Sequence, residues 1–185
     1  MTGWKDKRIV MRRYNLTAEM YEGRYAKEQK SKYVAALENV VVADEVVLDV
    51  GCGSGLFFRE IAAQAKMIIG LDISRKLLLQ AKHHAAAFGN VFVLQADADY
   101  LPFGEGVFDL VFAFTVLQNM PDPSATLKEL KSVAKTAGKI VVTGLKRFFS
   151  LTAFMDFLEA SGLTLVTFVD REDLKCYVSV LTLSN

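Results

Sequence analysis

The residues that concentrate the most chemistry are Val47-Leu48-Asp49-Val50-Gly51-Cys52-Gly53-Ser54-Gly55. Glycines at alternate positions permit positive φ and let a backbone approach a ligand closely, and a helix beginning after them turns its free N–H groups toward the same point. At the carboxyl end of a parallel strand such a loop makes a nucleotide-type site. A dinucleotide fingerprint would need its third glycine where Leu56 stands, so the spacing argues against a nicotinamide-dependent oxidoreductase. Two further carboxylates close apolar runs: Asp72 in Ile69-Gly70-Leu71-Asp72-Ile73-Ser74, and Asp97 in Val93-Leu94-Gln95-Ala96-Asp97-Ala98. Asp72 stands one strand–helix–strand unit beyond Asp49, where a carboxylate can accept two neighbouring hydroxyls more strongly than a neutral side chain could.

Other reactive residue types carry less. His83 and His84 are adjacent on a helical pattern, so their side chains diverge by about 100° and cannot chelate one metal; they are expected to face solvent. Cys52 and Cys176 form neither a C-x-x-C pair nor a disulfide framework, and no apolar signal core follows the N-terminus, so a reducing cytoplasm is expected. Cys52 contributes backbone to the glycine loop, and Cys176 is expected to pack in an edge strand. Phe148 and Phe149 read as core, or as the border of a substrate pocket.

These residues need elements to hold them. With 185 residues, 52% of them hydrophobic, the chain reads as one domain over 1–185 that buries a core without staples. No stretch is apolar enough to span a membrane. From residue 46, apolar runs alternate with helical patterns: Val46–Val50, Leu56–Ala65, Met67–Leu71, Arg75–Phe88, Val91–Gln95, Leu110–Phe114, Ser124–Ala134, Lys139–Thr143 and Leu151–Ser161. Strands that are apolar throughout are buried on both faces, as in a parallel sheet covered by helices, so residues 46–185 read as a doubly wound α/β core. Leu163–Val169 and Cys176–Leu183 are joined by too few residues for a parallel crossover and are expected to pair antiparallel at one edge. Residues 1–45 read as a helical preface, one helix opening at Thr17–Met20 and another spanning Lys27–Leu37, with Gly23 as the break. The net charge of +1 conceals a basic head. Residues 1–33 hold nine Lys and Arg against four Asp and Glu, which suits an anionic partner or simply a solvated helical face.

Taken in order, the motifs resemble those of the class I S-adenosylmethionine-dependent methyltransferases, in particular their small single-domain group. Phe108–Pro123 and Ala137-Gly138-Lys139-Ile140-Val141-Val142-Thr143 resemble the later family motifs, and the match is close over about residues 40–145. The resemblance implies a Rossmann-like seven-stranded mixed sheet, six strands parallel and the last antiparallel, with S-adenosyl-L-methionine as cofactor. Gly51, Cys52, Gly53 and Gly55 would shape the methionine-binding loop, with Asp49 either touching the cofactor or orienting that loop. Asp72 would hold the ribose, Ile73 would pack on the adenine, and Asp97 would accept the adenine amino group beside the Ala98 N–H. Phe114 would end the strand passing the methionine part of the cofactor.

Arg12–Tyr25 is similar to the family's N-terminal lid, which puts Tyr14, Tyr21 or Tyr25 near the methionine carboxylate or the acceptor, unless their rings only pack the helix. Many relatives carry a histidine where Asn119 stands; asparagine cannot abstract a proton near neutral pH. Displacement at a sulfonium can rely on positioning and desolvation, so this does not argue against catalysis. A turn is expected at Lys135–Gly138. The Asn-Pro-Pro-Tyr signature of base-amino methyltransferases is replaced by Phe114-Thr115-Val116-Leu117. The expected acceptor is a small molecule; RNA or protein gripped by residues 1–33, or a role as a non-catalytic partner subunit, are the alternatives.

Overall fold

The computed structural model describes residues 3–183. Helix α1 (Gly3–Thr17) passes through a 3₁₀ turn at Ala18–Met20 into α2 (Tyr21–Leu37). There follow β1 (Val46–Val50), α3 (Phe58–Ile61), β2 (Met67–Asp72), α4 (Arg75–Ala85), β3 (Val91–Gln95), β4 (Phe108–Ala113), α5 (Pro123–Val133), β5 (Ala134–Leu145), α6 (Leu151–Ala160), β6 (Leu163–Val169) and β7 (Cys176–Leu183). The strands form one sheet in the order β3-β2-β1-β4-β5-β7-β6. All neighbours run parallel except β7, which lies antiparallel between β5 and β6.

The runs of the interior strands β1, β4 and β7 are buried on both faces, as their composition requires, whereas the edge strands β3 and β6 leave positions such as Phe92 and Val166 exposed. Val47, Leu110 and Phe112 pack with Phe57, Phe58 and Tyr33, whereas Leu48, Val111 and Ile140 pack with Leu127, Leu130 and Phe154. Side-chain caps start α4, α5 and α6: Ser74 Oγ accepts from Leu77 N, Asp122 from Ser124 N and Ala125 N, and Ser150 from Ala153 N. The strand order reverses between β1 and β4, so the carboxyl ends of these two strands flank the crevice in which doubly wound sheets bind ligands. No helix among the described residues is long and apolar enough to cross a membrane.

Three expected boundaries are displaced. Gly23 sits inside α2 with open space around it, and the helical break falls instead at Thr17, whose ψ of 6° leaves the helical region. The pattern at Leu56–Ala65 yields a helix only over Phe58–Ile61, because tight turns of the glycine loop take up its start. Lys135–Gly138 belongs to β5 rather than to a free turn: the register with β4 shifts between Phe108 and Leu110. A Cβ on Gly138 would stand 3.0 Å and 3.1 Å from the carbonyl oxygens of Asp109 and Phe108, so glycine serves close strand contact there.

Candidate functional site

The loop after β1 holds Gly51, Gly53 and Gly55 at φ of 70°, 57° and 81°. Their surroundings divide the three by task. A Cβ on Gly51 would meet Val116 Cγ2 at 2.6 Å, one on Gly53 would press the Tyr21 hydroxyl at 3.0 Å, and one on Gly55 would strike the Phe58 ring at 2.5 Å. Of these, Gly51 lines the cavity that opens above the loop; Gly53 lies under Tyr21 and Gly55 seats the loop on the core. Cys52 is buried with its thiol turned inward, and its N–H, like that of Gly51, donates to Leu71 O at the end of β2.

Asp72 fastens this loop to β2: Oδ2 accepts from Gly53 N at 2.9 Å and Oδ1 from Ser74 N at 2.7 Å. Burial pushes its pKa up, and those backbone bonds oppose the rise. Asp49 is also buried, and its Oδ2 has no hydrogen-bond donor among the described residues. Burial first, then the nearby charge of Asp72, holds its carboxyl well above the usual range.

Asp97 does not stand free. Lys7 of α1 reaches it at 2.8 Å and Asp99 at 2.5 Å. Burial alone would lower the Lys7 pKa, but the two carboxylates outweigh it and raise it. Lys7, Tyr14, Tyr21, Gly51, Asp72, Ile73, Asp97, Ala98, Phe114 and Asn119 are thereby brought around one cavity of about 80 Å³. Asp49, Cys52, Gly53 and Gly55 lie behind its wall rather than in it.

A second, wider cleft of about 590 Å³ adjoins the first, and Tyr14, Tyr21, Thr115 and Asn119 line both. Tyr25 lines the second cleft alone. Asn119 is fully engaged: Nδ2 donates to Thr115 O at 2.8 Å and Tyr14 Oη at 3.3 Å, and Oδ1 accepts from Arg13 Nη2 at 2.8 Å. Burial raises the Tyr14 hydroxyl above its ordinary value and the Tyr21 hydroxyl well above it, so neither is ionised near neutrality. Phe148 and Phe149 do not line this cleft; Phe149 packs on Phe154 and Phe157. His84, expected in solvent, is mostly buried and lies 3.5 Å from Glu22, while His83 is exposed.

Two features of the site escape inspection of the sequence. Thr115 has φ of 63°, a left-handed conformation disfavoured for a β-branched residue, and hydrogen bonds from three sides hold it there. Its N–H donates to Thr143 Oγ1, its carbonyl accepts from Asn119, and its hydroxyl accepts from Lys32 Nζ at 2.9 Å. Lys32 itself is 1% exposed, a cation in the buried stripe of α2 with Gln29, Tyr33 and Ala36. That polar interruption of a helical apolar face was the readable sign of it.

The methyltransferase domain family matches residues 48–142, half of the chain, which includes the end of β1, the glycine loop, Asp72, Asp97 and Asn119. The chain belongs to the class I S-adenosylmethionine-dependent methyltransferases. Within that family it is 32% identical over 141 residues to a malonyl-[acyl-carrier protein] O-methyltransferase of Legionella pneumophila, covering 74% of this chain and 49% of that protein. It is 29% identical over 119 residues to a ubiquinone biosynthesis O-methyltransferase of Coxiella burnetii, covering 64% and 50%. The chain thus spans about half the length of these methyltransferases. Its fold is that of a solved S-adenosylmethionine-dependent methyltransferase of Thermotoga maritima, with a TM-score of 0.76 at 19% identity, over 94% of this chain and 99% of that one. The cofactor of the family is S-adenosyl-L-methionine.

Proposed function

We propose that this chain binds S-adenosylmethionine over the β1 loop and transfers its methyl group to a small molecule in the adjoining cleft. The observation that carries this reading is the pair of adjacent cavities sharing Tyr14, Tyr21, Thr115 and Asn119, one reaching Gly51, Asp72 and Asp97 and the other bounded largely by α1, α2 and the loop after β5. The donor set suits the cofactor. The Asp49 oxygen, just behind the wall of the cavity, has no donor, and an ammonium bound at the glycine loop would supply positive charge beside it, while a Cβ on Gly51 would strike Val116 on the wall of the same cavity. Asp72 has lone pairs left for ribose hydroxyls, and Asp97 exchanges Lys7 for the adenine amino group beside Ala98 and Ile73.

When bound, the cofactor supplies a methyl group on a positively charged sulfur, a good leaving group. The chain contributes position and exclusion of water. The aromatic hydroxyls of Tyr14 and Tyr21 and the amide of Asn119 fix where an acceptor atom can sit, and none of them takes up a proton near neutrality. Glu28, the carboxylate lining the cleft among the described residues, is a poor base too. Burial alone would raise its pKa, but Lys32 at 2.8 Å and Lys175 at 3.1 Å lower it. The nucleophile therefore arrives ionised or gives its proton to solvent. Residues 1–45 would act as a lid over the α/β core.

Calorimetric titration with S-adenosylhomocysteine tests the reading. The protein should bind it, and Asp72→Ala should weaken binding by about tenfold or more, given ~1.5–3 kcal/mol for hydrogen bonds to a charged group. No heat with the unmodified chain, or unchanged affinity in the variant, would sink the proposal.

A further inference from the structure

The charge around the second cleft is lopsided. Arg13, Arg24, Lys32, Lys146, Arg147 and Lys175 line it against Glu28. Glu28 is already shared by Lys32 and Lys175, and Lys146 is held by Asp170 at 2.7 Å. That leaves the guanidiniums of Arg13, Arg24 and Arg147 with no carboxylate in ion-pair range among the described residues. They come from three separate places: the C-terminal half of α1, the first turn of α2 and the loop after β5. A solvated helical face would put its cations on one element; here they converge on one concavity.

A second observation is independent of charge. Gln118, in the 3₁₀ turn after β4, has both its amide oxygen and its amide nitrogen buried without a partner, and it lines this cleft and not the first. Gln29, 5% exposed, gives its Nε2 to Tyr21 and leaves Oε1 unpartnered on the same wall. Buried amide atoms without partners are costly unless a ligand completes them. A cleft of about 590 Å³ has the size of a metabolite site.

We propose that the cleft recognises a small organic acid, its carboxylate or phosphate gripped by Arg13, Arg24 and Arg147 and its polar body hydrogen-bonded by Gln118 and Gln29. The inference rests on the methyltransferase reading, because it names the acceptor class of that site. Guanidiniums bind both kinds of oxyanion through paired N–H donors, which is the shared chemistry. Three cations of the basic head, Arg13, Arg24 and Lys32, thus serve a pocket rather than a polymer track.

The test uses the full chain saturated with S-adenosylhomocysteine, and binding of that compound is measured first. If it fails to bind, the methyltransferase reading falls; if it binds, the acid question stands alone. Phenylacetate is then titrated against phenylacetamide, and phenyl phosphate against phenol, at low and high salt. At least one acid should bind about tenfold or more tightly than its neutral partner, with the difference shrinking in salt; which acid does so separates a carboxylate site from a phosphate site. The double variant Arg24→Glu, Arg147→Glu should lose that preference, and Gln118→Leu should weaken the acid several-fold, both with S-adenosylhomocysteine affinity retained. Equal binding of acid and neutral partner, no binding of either acid, or tighter binding of a single-stranded RNA decamer than of either acid would overturn the inference.

Discussion

At the scale of single residues, Asp49 is the group whose state the bound cofactor should change most. Its folded-state pKa is raised by burial and by Asp72, so this group costs stability progressively as pH rises from the ordinary carboxylate range through the raised value. A ligand ammonium favours the ionised form and reverses the sign for binding. Affinity for S-adenosylhomocysteine should therefore grow as pH rises through the raised pKa and then level off, and Asp49→Asn should flatten the profile. Calorimetry over a pH series that starts in the ordinary carboxylate range and continues upward reads this directly; an equally steep profile in the variant would remove Asp49 from the account. The three acids were conspicuous in the sequence because each is a lone carboxylate within or just after an apolar run. Lys7 on Asp97, the orphaned Gln118 and the left-handed Thr115 were not, since each depends on contacts between segments far apart in sequence.

At the scale of elements, β2 shows how the site is held to the core. Gly70 lies in the middle of this strand, and a Cβ there would come within 2.3 Å of the Phe58 ring and 3.1 Å of Cys52 Sγ. The small residue lets α3 press on the sheet and keeps the loop seated above it. Gly70→Ala should overpack this contact by about 1–3 kcal/mol. For a chain of this size that lowers the melting temperature by roughly 2–4 °C per kcal/mol, read by calorimetry. Adding Phe58→Leu should restore part of the loss, because the ring is what the new methyl meets; no coupling between the two changes would show that the strain lies elsewhere. Strands were easier to read from sequence than helix ends for the same reason. Burial on both faces leaves an uninterrupted apolar run, as at Leu110–Ala113 and Ile140–Val142, whereas the break at Thr17 follows from backbone geometry with no glycine or proline to announce it. The continuous β5 was hidden by its own shift of register at Gly138, which reads locally as a turn.

At the scale of the whole molecule, α1 is the piece the fold holds least firmly. Its buried residue is Lys7, while Trp4, Ile9 and Leu16 are 52%, 58% and 80% exposed. Polar links do most of the fastening: Lys7 to Asp97 and Asp99, Asn15 Oδ1 to Ser74 Oγ at 2.8 Å and to Lys76 N at 3.1 Å, and Arg13 to Asn119. The cavity beneath it, about 80 Å³, is smaller than the roughly 300–1,000 Å³ of ligand pockets. A cofactor bound at Asp97 as proposed would displace Lys7, and α1 would then swing aside and re-dock as the site fills. Segments with few buried apolar contacts open at low free energy, which makes this movement cheap. Amide hydrogen exchange should accordingly be much faster over 3–17 than over β1 and β4 in the free protein, and S-adenosylhomocysteine should slow it in α1 selectively. Lys7→Met should speed exchange in α1 of the free protein further and leave the sheet unchanged. Protection of α1 equal to that of the central strands would mean that the helix is part of the rigid core and that the cofactor enters by another route.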